Sequence, residues 1–212
     1  MPFNKAMLEG KQIMVCGQRG SGKTMWAKRI TKDLFPRHLV FDTIFSVNEV
    51  DWKGFNRFCV EEPLSGEELK KEFDDFFNDL NKENIKGRIH LIKNDKVIDL
   101  IDIDEVNMVA PSRETPPFSF KFLTNIGRHI NLTVIMITRR PVQVNTDAVE
   151  LADFLVLFSL SGKNDIDFLN NIKTGLGDAV SELDIDMHNF IIWKRGAPTW
   201  STFSKIDIKG IV

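Results

Sequence analysis

The chain has 212 residues, 42% hydrophobic and 27% charged, with a formal net charge of −2, no tyrosine and 17 phenylalanines. At about 150 residues per domain it reads as one domain over 1–212, large enough to bury a proper core, and the composition excludes disordered, collagen-like and disulfide-stapled chains. Near-neutral charge argues against a protein that simply coats nucleic acid, and two cysteines, Cys16 and Cys59, suit a reducing compartment.

Short apolar runs alternate with amphipathic stretches. A strand is expected at 12–16, then a helix at 22–34 stopped by Pro36, then a strand at 38–41. Over 66–80 the apolar residues Leu69, Phe73, Phe76, Phe77 and Leu80 fall at helical spacing, with acids filling the other face. Residues 88–92 and 97–103 read as a hairpin closed by 93–96. After a break rich in proline, Pro117 starts a helix expected to run to Arg128. A buried strand follows at 132–138, a short helix near 146–151 that Asn145 caps, and another buried strand at 154–158. Helices at 165–172 and 178–183 precede a terminal hairpin of 190–193 with 199–203. Strands alternating with helices imply an α/β fold with a mostly parallel sheet covered on both faces. No apolar run approaches the roughly 20 residues that span a bilayer. No charged-then-apolar leader stands at Met1-Pro2-Phe3-Asn4, so no secretion signal is expected.

Gly17-Gln18-Arg19-Gly20-Ser21-Gly22-Lys23-Thr24 matches G-x-x-x-x-G-K-[ST] in full, between an expected strand and an expected helix. Such a loop wraps phosphates with inward backbone N–H groups, and a Cβ at its glycines blocks that approach. The helix adds the positive end of its dipole. Lys23 reaches the outer phosphates and Thr24 places its hydroxyl on Mg²⁺. A second carboxylate-bearing strand ends in Asp102-Ile103-Asp104-Glu105. Asp104 can hold Mg²⁺ through water and Glu105 can orient and deprotonate an attacking water, which points to hydrolysis of ATP. Asp102 shares a strand face with Asp104. Further on, Gly127-Arg128-His129 leads into the 132–138 strand, which ends in Thr138-Arg139-Arg140-Pro141; its carboxyl end faces the phosphates if it lies between the two Walker strands.

The order of strand, GxxxxGKT and helix, then an apolar strand ending in Asp-Glu, then Gly-Arg-His-x-x-Asn-Leu, a strand and Arg-Pro resembles the FtsK/HerA superfamily of DNA-pumping ATPases. It is most similar to the compact genome-packaging ATPases of internal-membrane icosahedral viruses with double-jelly-roll capsids, over about residues 11–158. The resemblance implies a RecA-like (ASCE) P-loop NTPase with a C-terminal β-hairpin, and an insertion at about 48–96 between the second strand and the Walker B strand. It makes Lys23 and Thr24 the Walker A pair, Asp104 and Glu105 the Walker B pair, and Arg128 the candidate arginine finger for a neighbouring subunit's nucleotide. It also implies a homo-oligomeric ring, a hexamer by analogy, around double-stranded DNA. A capsid or portal-vertex protein would be its partner, and the host cytoplasm or a packaging vertex of the virion its location. Members usually carry glutamine before Arg-Pro. Arg139 stands there in this chain; it can meet a γ-phosphate but offers no acceptor to the attacking water.

For DNA contacts the sequence offers the basic series Lys86, Arg88, His90, Lys93 and Lys96, and the aromatic-basic cluster Trp52, Lys53, Phe55, Arg57 and Phe58, either of which also fits ordinary surface charge or packing. His129 and His188 lack partners at zinc-ligand spacing, so no metal beyond Mg²⁺ is assigned. Residues 61–79 hold eight acids and two bases, a net of −6, which leaves the rest of the chain at +4. The acidic segment is thus the place to look for a protein partner. Competing readings are a nucleotide or metabolite kinase, for which an Arg-rich lid is wanting, and a nucleotide-dependent assembly or secretion module.

Overall fold

Strands that are apolar at every position need cover on both faces. The computed structural model, which describes residues 4–43, 52–60, 62, 64–85 and 88–204, provides it. The chain opens with a short helix α1 (Lys5–Leu8), then β1 (Gln12–Cys16), α2 (Lys23–Leu34), β2 (His38–Asp42) and β3 (Arg57–Cys59). Next come α3 (Gly66–Asn78), β4 (Asn81–Ile85), β5 (Arg88–Lys93), β6 (Lys96–Val97) and β7 (Leu100–Asp104). The second half holds α4 (Phe118–Ile126), β8 (Thr133–Thr138), α5 (Thr146–Leu151), β9 (Phe154–Phe158), α6 (Lys163–Ile172), α7 (Leu176–Ser181), β10 (Phe190–Lys194) and β11 (Ser201–Phe203).

Eight strands form the central sheet in the order β11-β10-β9-β1-β8-β7-β2-β3. From β9 to β3 every pairing is parallel; β10 and β11 close the edge as an antiparallel hairpin. β8 therefore lies between β1 and β7, the two Walker strands, and all six of its residues are buried. Alternate side chains feed two cores. Met14, Ile103, Met136 and Leu155 join α3 to α7 on one face, while Ile13, Val15, Ile135 and Val156 join Trp26, Ala27 and Ile30 of α2 on the other. Full burial of such a side chain contributes about 1.5–3 kcal/mol. α2 is also tied to the sheet by Thr31, whose hydroxyl donates to Asp102 at 2.8 Å.

Three expectations need correction. Residues 88–92 and 97–103 do not make one hairpin. β4, β5 and β6 form a separate antiparallel sheet, and the chain then crosses to the central sheet as β7. The crossing is pinned at Asp99, which accepts from Arg37 Nε and Nη2 at 3.0 and 2.6 Å and from Lys5 Nζ at 3.1 Å. Asn145 makes no side-chain capping bond to α5. The helix after Pro117 ends at Ile126, and 127–130 tightens into a 3-10 turn closed by Asn131 at φ 61°. Among the described residues no helix is long and apolar enough to cross a membrane.

Candidate functional site

The phosphate loop folds as its glycines demand. A Cβ on Gly17 would stand 2.5 Å from Cβ of Phe158 in the neighbouring strand, closer than van der Waals contact allows. Gly22 adopts φ +106° at the N-cap of α2, a conformation that favours glycine, and no side chain caps the helix. Its free amides and dipole are thus available to an anion. Gln18 is held by its backbone N–H donating to Ser159 O at 3.1 Å, and its carbonyl accepts from Ser21 N and from Lys23 Nζ at 3.0 Å. Ser21 is buried, and Arg19 and Gly20 are exposed at the rim. Lys23 is only 7% exposed; burial lowers its pKa, opposed by the charges of Glu105 and Asp104.

Asp104 ends β7 beside the loop. Its Oδ2 accepts from the Trp52 indole at 2.7 Å and its Oδ1 from the Glu105 amide at 3.0 Å. Burial pushes its pKa up to about 6, the Trp52 bond opposes this, and the like charges of Asp42 and Glu105 add to it. Asp102 is wholly buried, bonded to Thr31, with its pKa raised by desolvation. Glu105 sits at φ 46°, in the left-handed region that a non-glycine residue enters at a cost. Its Oε1 accepts from Arg139 Nε at 2.6 Å. A cleft of about 530 Å³ gathers these groups, lined by Arg19, Gly20, Gly22, Lys23, Thr24 and Met25 of the loop and α2, with Asp104, Glu105, Arg139 and His188.

The structure thus brings Lys23, Thr24, Asp104, Glu105 and Arg139 together and leaves two of the expected residues, Arg128 and Thr138, out. Arg128 is exposed, in the turn before β8, at the opposite end of the sheet from the phosphate loop. Thr138 also stays out of the cleft, buried with its hydroxyl donating to Asn107 Oδ1 at 3.0 Å. Trp52 is fully buried against Phe55, and Phe58 stacks on Phe41, so these rings pack the core. Arg57 pairs with Asp42 at 3.6 Å. On the small sheet Lys93 lies over the Phe76 ring and Lys96 is exposed, while Lys86 and the Arg88 side chain fall outside the described residues. Sequence reasoning did not find Trp52 as a partner of Asp104 or His188 as a wall of the cleft, because each comes from a distant stretch of the chain; Met25, also a wall, directly follows Thr24 but carries no motif signal of its own. Cys16, next to the loop, is buried and its thiol pushed far up by desolvation, so it is no nucleophile.

Thr24 and Asp104 present a hydroxyl and a carboxylate to one cleft, the hard oxygen donors Mg²⁺ takes. Among the described residues no cluster of three or more His, Cys, Asp or Glu could hold a metal alone. The donor set therefore fits an ion that shares its coordination with phosphate oxygens, as Mg²⁺ does.

No family model and no curated protein matches the chain. Solved structures do. The genome packaging NTPase of Sulfolobus turreted icosahedral virus 2, in complex with AMPPCP, superposes with a TM-score of 0.66 at 13% identity, over 91% of this chain and 96% of that one. The N-terminal domain of zonular occludens toxin from Neisseria meningitidis gives 0.52 at 14% identity, over 95% and 98%. The cytoplasmic domain of the type VII secretion ATPase EccC from Thermomonospora curvata gives 0.55 at 12% identity, over 92% of this chain and 25% of that one. The fold is that of the RecA-like P-loop ATPases, with its mostly parallel sheet and C-terminal hairpin.

Proposed function

We propose that the protein is an ATP-hydrolysing motor that drives double-stranded DNA into a preformed viral capsid, working as a ring of identical subunits. The observation that carries the reading is the convergence on one cleft of Lys23, at the start of α2, with Asp104, Glu105 and Arg139, from the ends of the adjacent strands β7 and β8. The loop amides and Lys23 bind and orient the phosphates of ATP. Thr24 and Asp104 hold Mg²⁺, which neutralises charge on the outer phosphate oxygens when bound. Glu105 takes the proton of the attacking water; for this its carboxylate must leave Arg139, and the γ-phosphate is the natural competitor for that guanidinium. Arg128, remote from its own subunit's cleft, would serve the neighbour's.

The genome-packaging likeness and the mildly basic body outside 61–79 favour DNA as the cargo. The test is ATP turnover with and without linear duplex DNA. Glu105→Gln is expected to bind ATP as wild type does and to lose at least about 100-fold in turnover, the scale of a lost general base. Turnover indifferent to DNA would favour the secretion-module reading, and turnover that needs a small acceptor would favour a kinase.

A further inference from the structure

Among the described walls of the cleft, His188 and Met25 are given no task by phosphate, metal or water chemistry. His188 comes from the turn before β10, and the sheet order places it on the β9–β10 side of the phosphate loop, whereas Glu105 and Arg139 come from the β7–β8 side. The hydrolytic groups thus border the end of the cleft where the γ-phosphate belongs. His188 borders the rest.

Four features mark the residue as placed rather than incidental. The backbone at His188 is left-handed, φ 49°, a conformation that costs free energy in a residue with a Cβ. That turn is fastened by His188 N–H donating to Ile185 O, Asn189 N–H to Asp184 O, and the amides of Asp186 and Met187 to Asp184 Oδ1. The ring packs on the loop itself: a Cβ on Gly22 would lie 3.4 Å from His188 Nδ1 and 3.4 Å from the Phe158 ring. Nδ1 is buried with no hydrogen-bond partner among the described residues, although a buried polar atom normally has one. Met25, 39% exposed, lines the same cleft, a polarizable thioether suited to the face of a flat ring.

We infer that His188 and Met25 form the nucleoside-binding wall, His188 setting the preference for a base-bearing triphosphate by packing its imidazole against the base or ribose. This rests on the nucleotide-binding reading of the cleft and deepens it. A triphosphate seated with its γ end at Glu105 and its inner phosphates on the loop has only its nucleoside left to place. The other flank of the loop is where His188 is, and Met25 lines the same cleft.

The experiment compares binding of ATP and of inorganic tripolyphosphate, each with Mg²⁺, by calorimetry. The variants are His188→Asn and His188→Gly, both at ease at positive φ, with thermal melts to show that they fold. Stacking of a base on an aromatic side chain is worth about 1–3 kcal/mol, so the variants should bind ATP about 10-fold more weakly and tripolyphosphate as wild type does. Equal weakening toward both ligands would overturn the inference, since His188 would then act by positioning the loop. Unchanged ATP affinity would overturn it too. Wild type that binds neither ligand would overturn the nucleotide reading itself, a result distinct from the other two.

Discussion

Asp104 lies beside Asp42 and Glu105, and burial and like charge both favour its neutral form, which is a poor metal ligand. The Trp52 indole is the neutral donor that opposes this, and it also aims the carboxylate. Partners of a metal ligand typically alter metal affinity by 10- to 100-fold when removed. Trp52→Phe keeps most of the packing and loses the N–H. The Mg²⁺ concentration for half-maximal turnover should then rise about 10-fold, read by titrating Mg²⁺ at fixed ATP; an unchanged requirement would reduce Trp52 to packing. That Lys23, Thr24, Asp104 and Glu105 share a cleft was legible because each motif is contiguous. The Trp52–Asp104 and Arg139–Glu105 contacts were not, since they join positions 52 and 34 residues apart that only the sheet order brings together.

The elements divide along the same line. β1, β8 and β9 announce themselves as unbroken apolar runs because they are buried on both faces. β4 reads Asn-Lys-Glu-Asn-Ile and is largely exposed, so neither alternation nor apolarity marks it; only its pairing with β5 makes it a strand. β3 is three half-buried residues held by β2. The run 97–103 misled because its apolar residues serve two sheets, and the break at Asp99 depends on Arg37 and Lys5 from far upstream. α3 owes its start to a capping box, in which Ser65 Oγ accepts from Glu68 N–H and the Glu68 carboxylate accepts from Ser65 N–H. Ser65→Ala should cost about 1 kcal/mol, a fall of about 2–4 °C in melting temperature for a chain of this size, with ATP affinity unchanged. Because α3 packs Phe73, Phe76 and Phe77 against the sheet, a melt reports the loss directly.

For the whole molecule the telling fact is where Arg128 lies: exposed, and at the wrong end of the sheet to reach its own cleft. If it serves a neighbour, activity belongs to the pair of subunits. Arg128→Ala alone should lose about 10³-fold or more in turnover while still binding ATP. Mixed with Glu105→Gln it should regain part of that activity, since an Arg128→Ala subunit keeps its base and its neighbour lends the guanidinium. No recovery in the mixture, with both variants folded, would rule out a shared site.

β8 links the two ends of that arrangement. Arg139 follows its last residue and Arg128 stands five residues before its first, and at about 3.3 Å per residue the strand spans about 20 Å between them. It is hydrogen-bonded on both edges and buried on both faces, so it has little freedom to bend or absorb a displacement. In an assembled ring, β8 would act as a push-rod. A shift at Arg139 when one subunit gains or loses a γ-phosphate would be carried along the strand to the turn that holds the arginine offered to the next, and firing would pass from subunit to subunit in turn.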